Sequence, residues 1–289
     1  MADVANTGTI HDIGYQRYTG QRLGRGHAVR SLYVYSFRTV FGMGRSAKAK
    51  IFPFSVAGIL LVIAVVAAAV KAQFKVEIPQ LSYVDFPGTL SFLLVLLLAA
   101  VAPELASRDL RNKVLPLYFS RPIGRDDYVL AKLAALVTAV SLILAVPLFV
   151  MFLGGAFSGS GLSGAWGQFT DFLPGLLNAV IYAIVLSAVA LLIASLSSRR
   201  TIAAGAVVAV FLVTTPISGV LQVVGTETMR QLASLFSITG ILSGLRNWLF
   251  GGSAEPAIGS FGPLYAGAAV VLVALCTALL VYRYRKVAS

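Results

Sequence analysis

The side chains able to do chemistry in this sequence crowd into one interior stretch, residues 103–132, PELASRDLRNKVLPLYFSRPIGRDDYVLAK. Arg108, Arg111, Lys113, Arg121, Arg125 and Lys132 interleave there with Glu104, Asp109, Asp126 and Asp127. Such a mixture supports recognition: charged groups fix orientation, and the cluster Leu115, Leu117, Tyr118 and Phe119, with no core of its own, supplies apolar contact. Glu104/Arg108 and Asp109/Lys113 are four apart with the acid first, the favoured order for helical pairs. Pro116 and Pro122 interrupt the helix. Gly124 permits a turn, and Asp126 or Asp127 can cap the helix that follows. The stretch reads as helix, turn, helix, a folded surface that docks onto something in the water phase.

Covalent, metal and nucleotide chemistry have no such footing. No G-x-x-x-x-G-K-[ST] occurs, and Gly24/Gly26 and Gly42/Gly44 lack the lysine and the strand that a phosphate loop needs. His11 and His27 have no ligand partners at metal-binding spacing, and no H-E-x-x-H occurs. Cys276, the sole cysteine, sits in an apolar run and reads as a small buried hydrophobe. No catalytic, cofactor or metal residues are therefore assigned, and the chain is expected not to be an enzyme.

The elements around the stretch are apolar. Of 289 residues, 58% are hydrophobic and 12% charged, which excludes an ordinary soluble domain. The apolar residues fall in blocks near the length that crosses a bilayer as a helix. Six spans are predicted at about 51–71, 88–107, 128–153, 172–197, 201–224 and 262–282. The expected fold is an all-α membrane protein with an N-terminal interfacial helix. Its divisions are an N-terminal segment 1–26, the interfacial helix 27–50 and a six-span domain 51–289. The interfacial helix rests on Arg30, Arg38, Arg45 and Lys48 sharing one arc, with Val29, Leu32, Val40 and Met43 opposite. Residues 154–171 read as a flexible Gly/Ser connector. Residues 225–261 carry helically spaced leucines in a run too short to cross, so short outer re-entrant helices are expected there.

The net charge of +12 would suggest nucleic acid in a soluble protein, but its distribution follows the membrane. Nineteen Lys and Arg fall on the side of the termini and the 103–132 loop, against Lys71, Lys75, Arg230 and Arg246 on the other. The positive-inside rule then places both termini and the loop in the cytoplasm. Inside the spans ionisable residues are nearly missing, which argues against an ion-driven transporter and an intramembrane protease. The mild polar residues there, among them Thr138, Asn178, Tyr182, Ser187, Thr215, Ser218 and Thr277, read as hydrogen bonds between helices. A path lined this way would suit an amphiphilic or lipid-like cargo.

The run Asp109–Leu115, then Ser120, Arg121 and Pro122, then Arg125 and Lys132, resembles the cytoplasmic loop of ABC-2-type transporter permeases. That family has an acid and a Leu before a small-Arg-Pro turn, a second Arg, and a Lys opening the third span. Here Asp109 stands for the usual Glu, and Lys113 and Val114 for a frequent Gly-Thr pair. The resemblance implies a permease of a prokaryotic cytoplasmic membrane. It would work as a homo- or heterodimer with a second permease, in contact with membrane lipid, and be driven by a separate ABC ATPase. Export is the commoner direction in the family. It also implies a coupling helix in the 103–132 loop, with Asp109, Leu115, Leu117, Tyr118, Phe119, Arg121, Pro122 and Arg125 meeting the ATPase. The other reading is a multi-span scaffold or assembly protein that holds a cytosolic partner through the same loop.

Overall fold

A computed structural model of the chain describes residues 20, 23–74, 78–120, 122–158, 161–251 and 258–287. Most of the 1–26 segment therefore lies outside the described residues. Within them every regular element is helical.

The first helix, α1 (Arg25–Val40), occupies most of the stretch expected to lie at the interface. It ends before residue 49 because Gly42 and Gly44 take positive φ, a region glycine enters without steric cost. A Cβ on Gly42 would stand 2.6 Å from the carbonyl oxygen of Ala49. Beyond this turn come α2 (Ala47–Phe74), the short α3 (Phe86–Thr89), α4 (Ser91–Leu105) and two brief helices, α5 (Ser107–Arg111) and α6 (Leu115–Phe119). The longest follow, α7 (Arg125–Ser158) and α8 (Leu162–Ser195), then α9 (Arg200–Val224), α10 (Glu227–Ala233), α11 (Ile238–Phe250) and α12 (Gly262–Val287).

Among the described residues six segments are long and apolar enough to cross a membrane: α2, α4 with α5, α7, α8, α9 and α12. They coincide with the six predicted spans. The connector expected over 154–171 is instead almost wholly helical. At about 1.5 Å per residue, 34 residues give roughly 50 Å, well beyond a hydrocarbon core of about 30 Å. Two of the glycines that suggested flexibility, Gly154 and Gly155, serve close packing. A Cβ on Gly154 would lie 2.7 Å from the Cβ of Ala68 in α2, and one on Gly155 would lie 2.5 Å from Gln168 Oε1 in α8.

The core runs through α4, α7 and α8. Leu136, Ala139, Val140, Leu144 and Leu148 of α7 meet Ala179, Ala183, Leu186 and Ala190 of α8 in full burial. Helices α2, α9 and α12 line the outside and keep large apolar side chains such as Val62, Leu212 and Val271 exposed. A helix apolar all round with one face uncovered is matched to lipid rather than water. Within 225–261, α10, a 3₁₀ turn (Ser234–Phe236) and α11 take the place of the expected short helices. Ile238, Ile241, Leu242 and Leu245 give α11 one buried stripe, and Ser237 caps it by accepting from Gly240 N at 2.8 Å. Thirteen residues span only about 20 Å.

Candidate functional site

The loop between α4 and α7 is built by ion pairs that sequence spacing does not foresee. Helix α4 ends at Leu105 and a new helix starts at Ser107, so the expected Glu104–Arg108 ladder is not continuous. Lys113 is left-handed, φ 52°, alone among described non-glycine residues, which takes it off the helical turn after Asp109. Glu104 instead accepts from Arg45 and Arg200, each at 2.6 Å, joining the α1–α2 turn to the start of α9. Asp109 is buried, pairs with Lys132 of α7, and accepts from the Tyr128 hydroxyl at 2.7 Å. Lys132 is also buried and donates to the Leu105 carbonyl, at the last turn of α4. A buried charge survives when paired and hydrogen-bonded, and this one has both.

Around Tyr128 the loop closes on aromatic rings. Tyr128 is fully buried, with ring centroids of Tyr118, Phe119 and Tyr284 at 5.5, 5.9 and 5.2 Å. The Arg125 guanidinium stands 5.8 Å from the Phe119 ring and donates to the Arg285 carbonyl at 2.9 Å. Asp127 fulfils the capping role: Oδ2 accepts from Gly124 N at 3.0 Å, three residues back, as in a capping box. It also takes two 2.7 Å bonds from Arg25, which raise the guanidinium's already high pKa. Asp126 takes two from Arg285, at 3.1 and 2.6 Å. Arg283 of α12 donates to the carbonyls of Ser195 and Leu196, at 2.6 and 3.2 Å, satisfying the end of α8. The loop is thus tied to α1, α7 and α12.

The residues singled out from sequence divide by exposure. Asp109 and Leu115 face inward. Tyr118, Phe119 and Arg125 are half-buried in the aromatic cluster. Leu117, 69% exposed, and Pro122 point outward. Arg121 lies outside the described residues. Beside α6 a groove of about 440 Å³ opens against α1, lined by Leu32, Tyr35, Tyr118 and Ile123 among others. Tyr128 and Tyr284 were missed as members of the cluster. Tyr128 carried a signal, being four residues before Lys132 and so on its helical face. Tyr284, far along the chain, carried none.

Among the described residues no group of His, Cys, Asp or Glu could hold a metal ion. The span polar residues mostly bond within their own helices: Thr215 to Phe211, Ser218 to Thr215 and Thr277 to Val273, each to the main-chain carbonyl. Across elements, Asn178 donates to the Val84 carbonyl at 2.8 Å, and Tyr33 and Thr138 share a 3.0 Å hydrogen bond. Residues 79–276 match the model of a family described as ABC-2 family transporter protein. No curated protein matches the chain.

Proposed function

Since the chain belongs to the ABC-2 family of transporter proteins, a membrane-spanning permease subunit, we propose that it is part of an ATP-driven exporter and is coupled through the 103–132 loop to a separate ATPase. The basic side of the bundle faces the cytoplasm of a prokaryotic cell, and a second permease, copy or paralogue, completes the membrane unit. The observation that carries the reading is Leu117, a large apolar side chain exposed on a short helix whose neighbouring rings are anchored.

In this account Leu117 and Pro122 enter an apolar groove on the ATPase, and Arg121 sets orientation by charge. Tyr118, Phe119, Leu115 and Arg125 hold the helix in place. Movement of the ATPases on binding nucleotide displaces α6. The Asp109–Lys132 pair passes the displacement to α7, and the Arg125 and Asp126 contacts with Arg285 pass it to α12.

Purification of the tagged chain from its own cells in mild detergent tests this. A P-loop ATPase should accompany the wild type and be lost with Leu117→Asp and with Arg121→Glu. A stable complex without any ATPase would favour the scaffold reading instead.

A further inference from the structure

Toward the ends of α4 and α9 remote from the loop, an open cavity of about 390 Å³ is walled by α3, α8, α9 and α11. Most residues that line it are Ser, Thr, Tyr, Gln or Arg, although α8 and α9 beside it are long and apolar enough to cross a membrane. Arg246 lines it, is buried, and is already neutralised by Asp85, which does not line the cavity. Arg246 Nε and Nη2 also donate to Asn247 Oδ1, at 3.1 and 2.7 Å.

Four of the eight serine and threonine hydroxyls that line the cavity direct their proton to the main chain. Thr89, Thr215, Ser218 and Ser243 each donate to a main-chain carbonyl, of Gln80, Phe211, Thr215 and Gly240, at 2.6 to 3.0 Å. A hydroxyl has one proton, so these groups offer the cavity lone pairs only. Tyr182 is 1% exposed, lines the cavity, and its hydroxyl makes no hydrogen bond among the described residues. A Cβ placed on Gly88 would lie 2.9 Å from that hydroxyl and 3.7 Å from Arg246 Nη1, so phenol and guanidinium converge on one point of α3. A polar group left unmet in a bilayer-embedded bundle is costly.

An occupant must therefore donate several hydrogen bonds and accept a few, and carry little net charge. A phosphate-like oxyanion brings acceptors alone to these four hydroxyls, which offer only lone pairs, and to a guanidinium already paired with Asp85. An ammonium has donors alone and leaves the Tyr182 hydroxyl proton without an acceptor. We propose that this cavity binds a neutral polyhydroxyl group, a glycosyl or similar polyol moiety, presented by a sugar-bearing lipid or by a free saccharide. Its hydroxyls donate to Thr89, Thr215, Ser218 and Ser243 and exchange hydrogen bonds with Tyr182 and Arg246.

The site can be tested without the ATPase, so its failure leaves the coupling reading untouched. The purified chain is placed in phosphatidylcholine nanodiscs containing equal small amounts of glucosyldiacylglycerol and phosphatidic acid, and retained lipid is measured by native mass spectrometry. Maltose is titrated in parallel against thermal unfolding. The glucosyl lipid should be retained over phosphatidic acid, or maltose should raise the midpoint; the first result assigns the lipid source and the second the free sugar. Tyr182→Phe and Ser218→Ala should each weaken the response about threefold to tenfold, the loss of one hydrogen bond. Preference for phosphatidic acid, no response to either sugar, or responses unchanged in both variants would overturn the proposal.

Discussion

Lys132 stands in the sequence as one more cation in a stretch of mixed charge, yet its ammonium lies inside the bundle between Asp109 and the Leu105 carbonyl. Its desolvation is offset only while both partners remain. Lys132→Met leaves the Asp109 carboxylate buried without its counter-charge, a loss on the order of 3–5 kcal/mol. A clear fall in the thermal midpoint of the purified protein is expected, and Asp109→Asn added to Lys132→Met should recover part of it. A single variant unfolding at the wild-type temperature would show that the pair does not hold the loop. Leu117 is the opposite case, a large apolar side chain left exposed. Leu117→Asp should leave the midpoint within about 0.5 kcal/mol of the wild type, as surface changes do.

At the scale of elements, close approach occurs where glycines admit a neighbour's backbone. A Cβ on Gly175 of α8 would lie 2.6 Å from both the Cβ and the carbonyl oxygen of Tyr83, whereas one on Gly267 of α12 would meet nothing within 4 Å. Gly175→Ala should therefore destabilise measurably in a thermal melt, while Gly267→Ala, gaining up to about 1 kcal/mol of helix propensity, should not. Equal melts for the two would contradict the packing described. The six spans were legible because each apolar block is long enough to need a bilayer. The extension of α7 and α8 through 154–171 was not, because Gly154 and Gly155 look like chain breakers until Ala68 and Gln168 are seen against them. The same limit hid the loop's electrostatics. Local spacing paired Glu104 with Arg108 and Asp109 with Lys113, but the left-handed Lys113 and contacts from Arg45, Arg200 and Lys132 decide the pairing. Asp127 capping α7 was legible because a capping box needs only three residues of context.

Across the whole molecule, one end of the bundle is laced by ion pairs and rings joining α1, α7 and α12, and the outer helices present apolar side chains to their surroundings. Under the proposed coupling, a push on α6 would be shared among spans rather than absorbed by a slack loop. The polar cavity lies toward the other end, bounded by α8 and α9, so helices adjoining the loop also adjoin the cavity. The most direct test of the central claim is the dissociation constant between the permease in nanodiscs and the ATPase proposed to co-purify with it, for wild type and Leu117→Asp. An interface anchor is worth about 2 kcal/mol or more, so binding should weaken by roughly thirtyfold or more while the thermal midpoint holds. An unchanged dissociation constant in the folded variant would contradict the assignment of this loop as the docking surface.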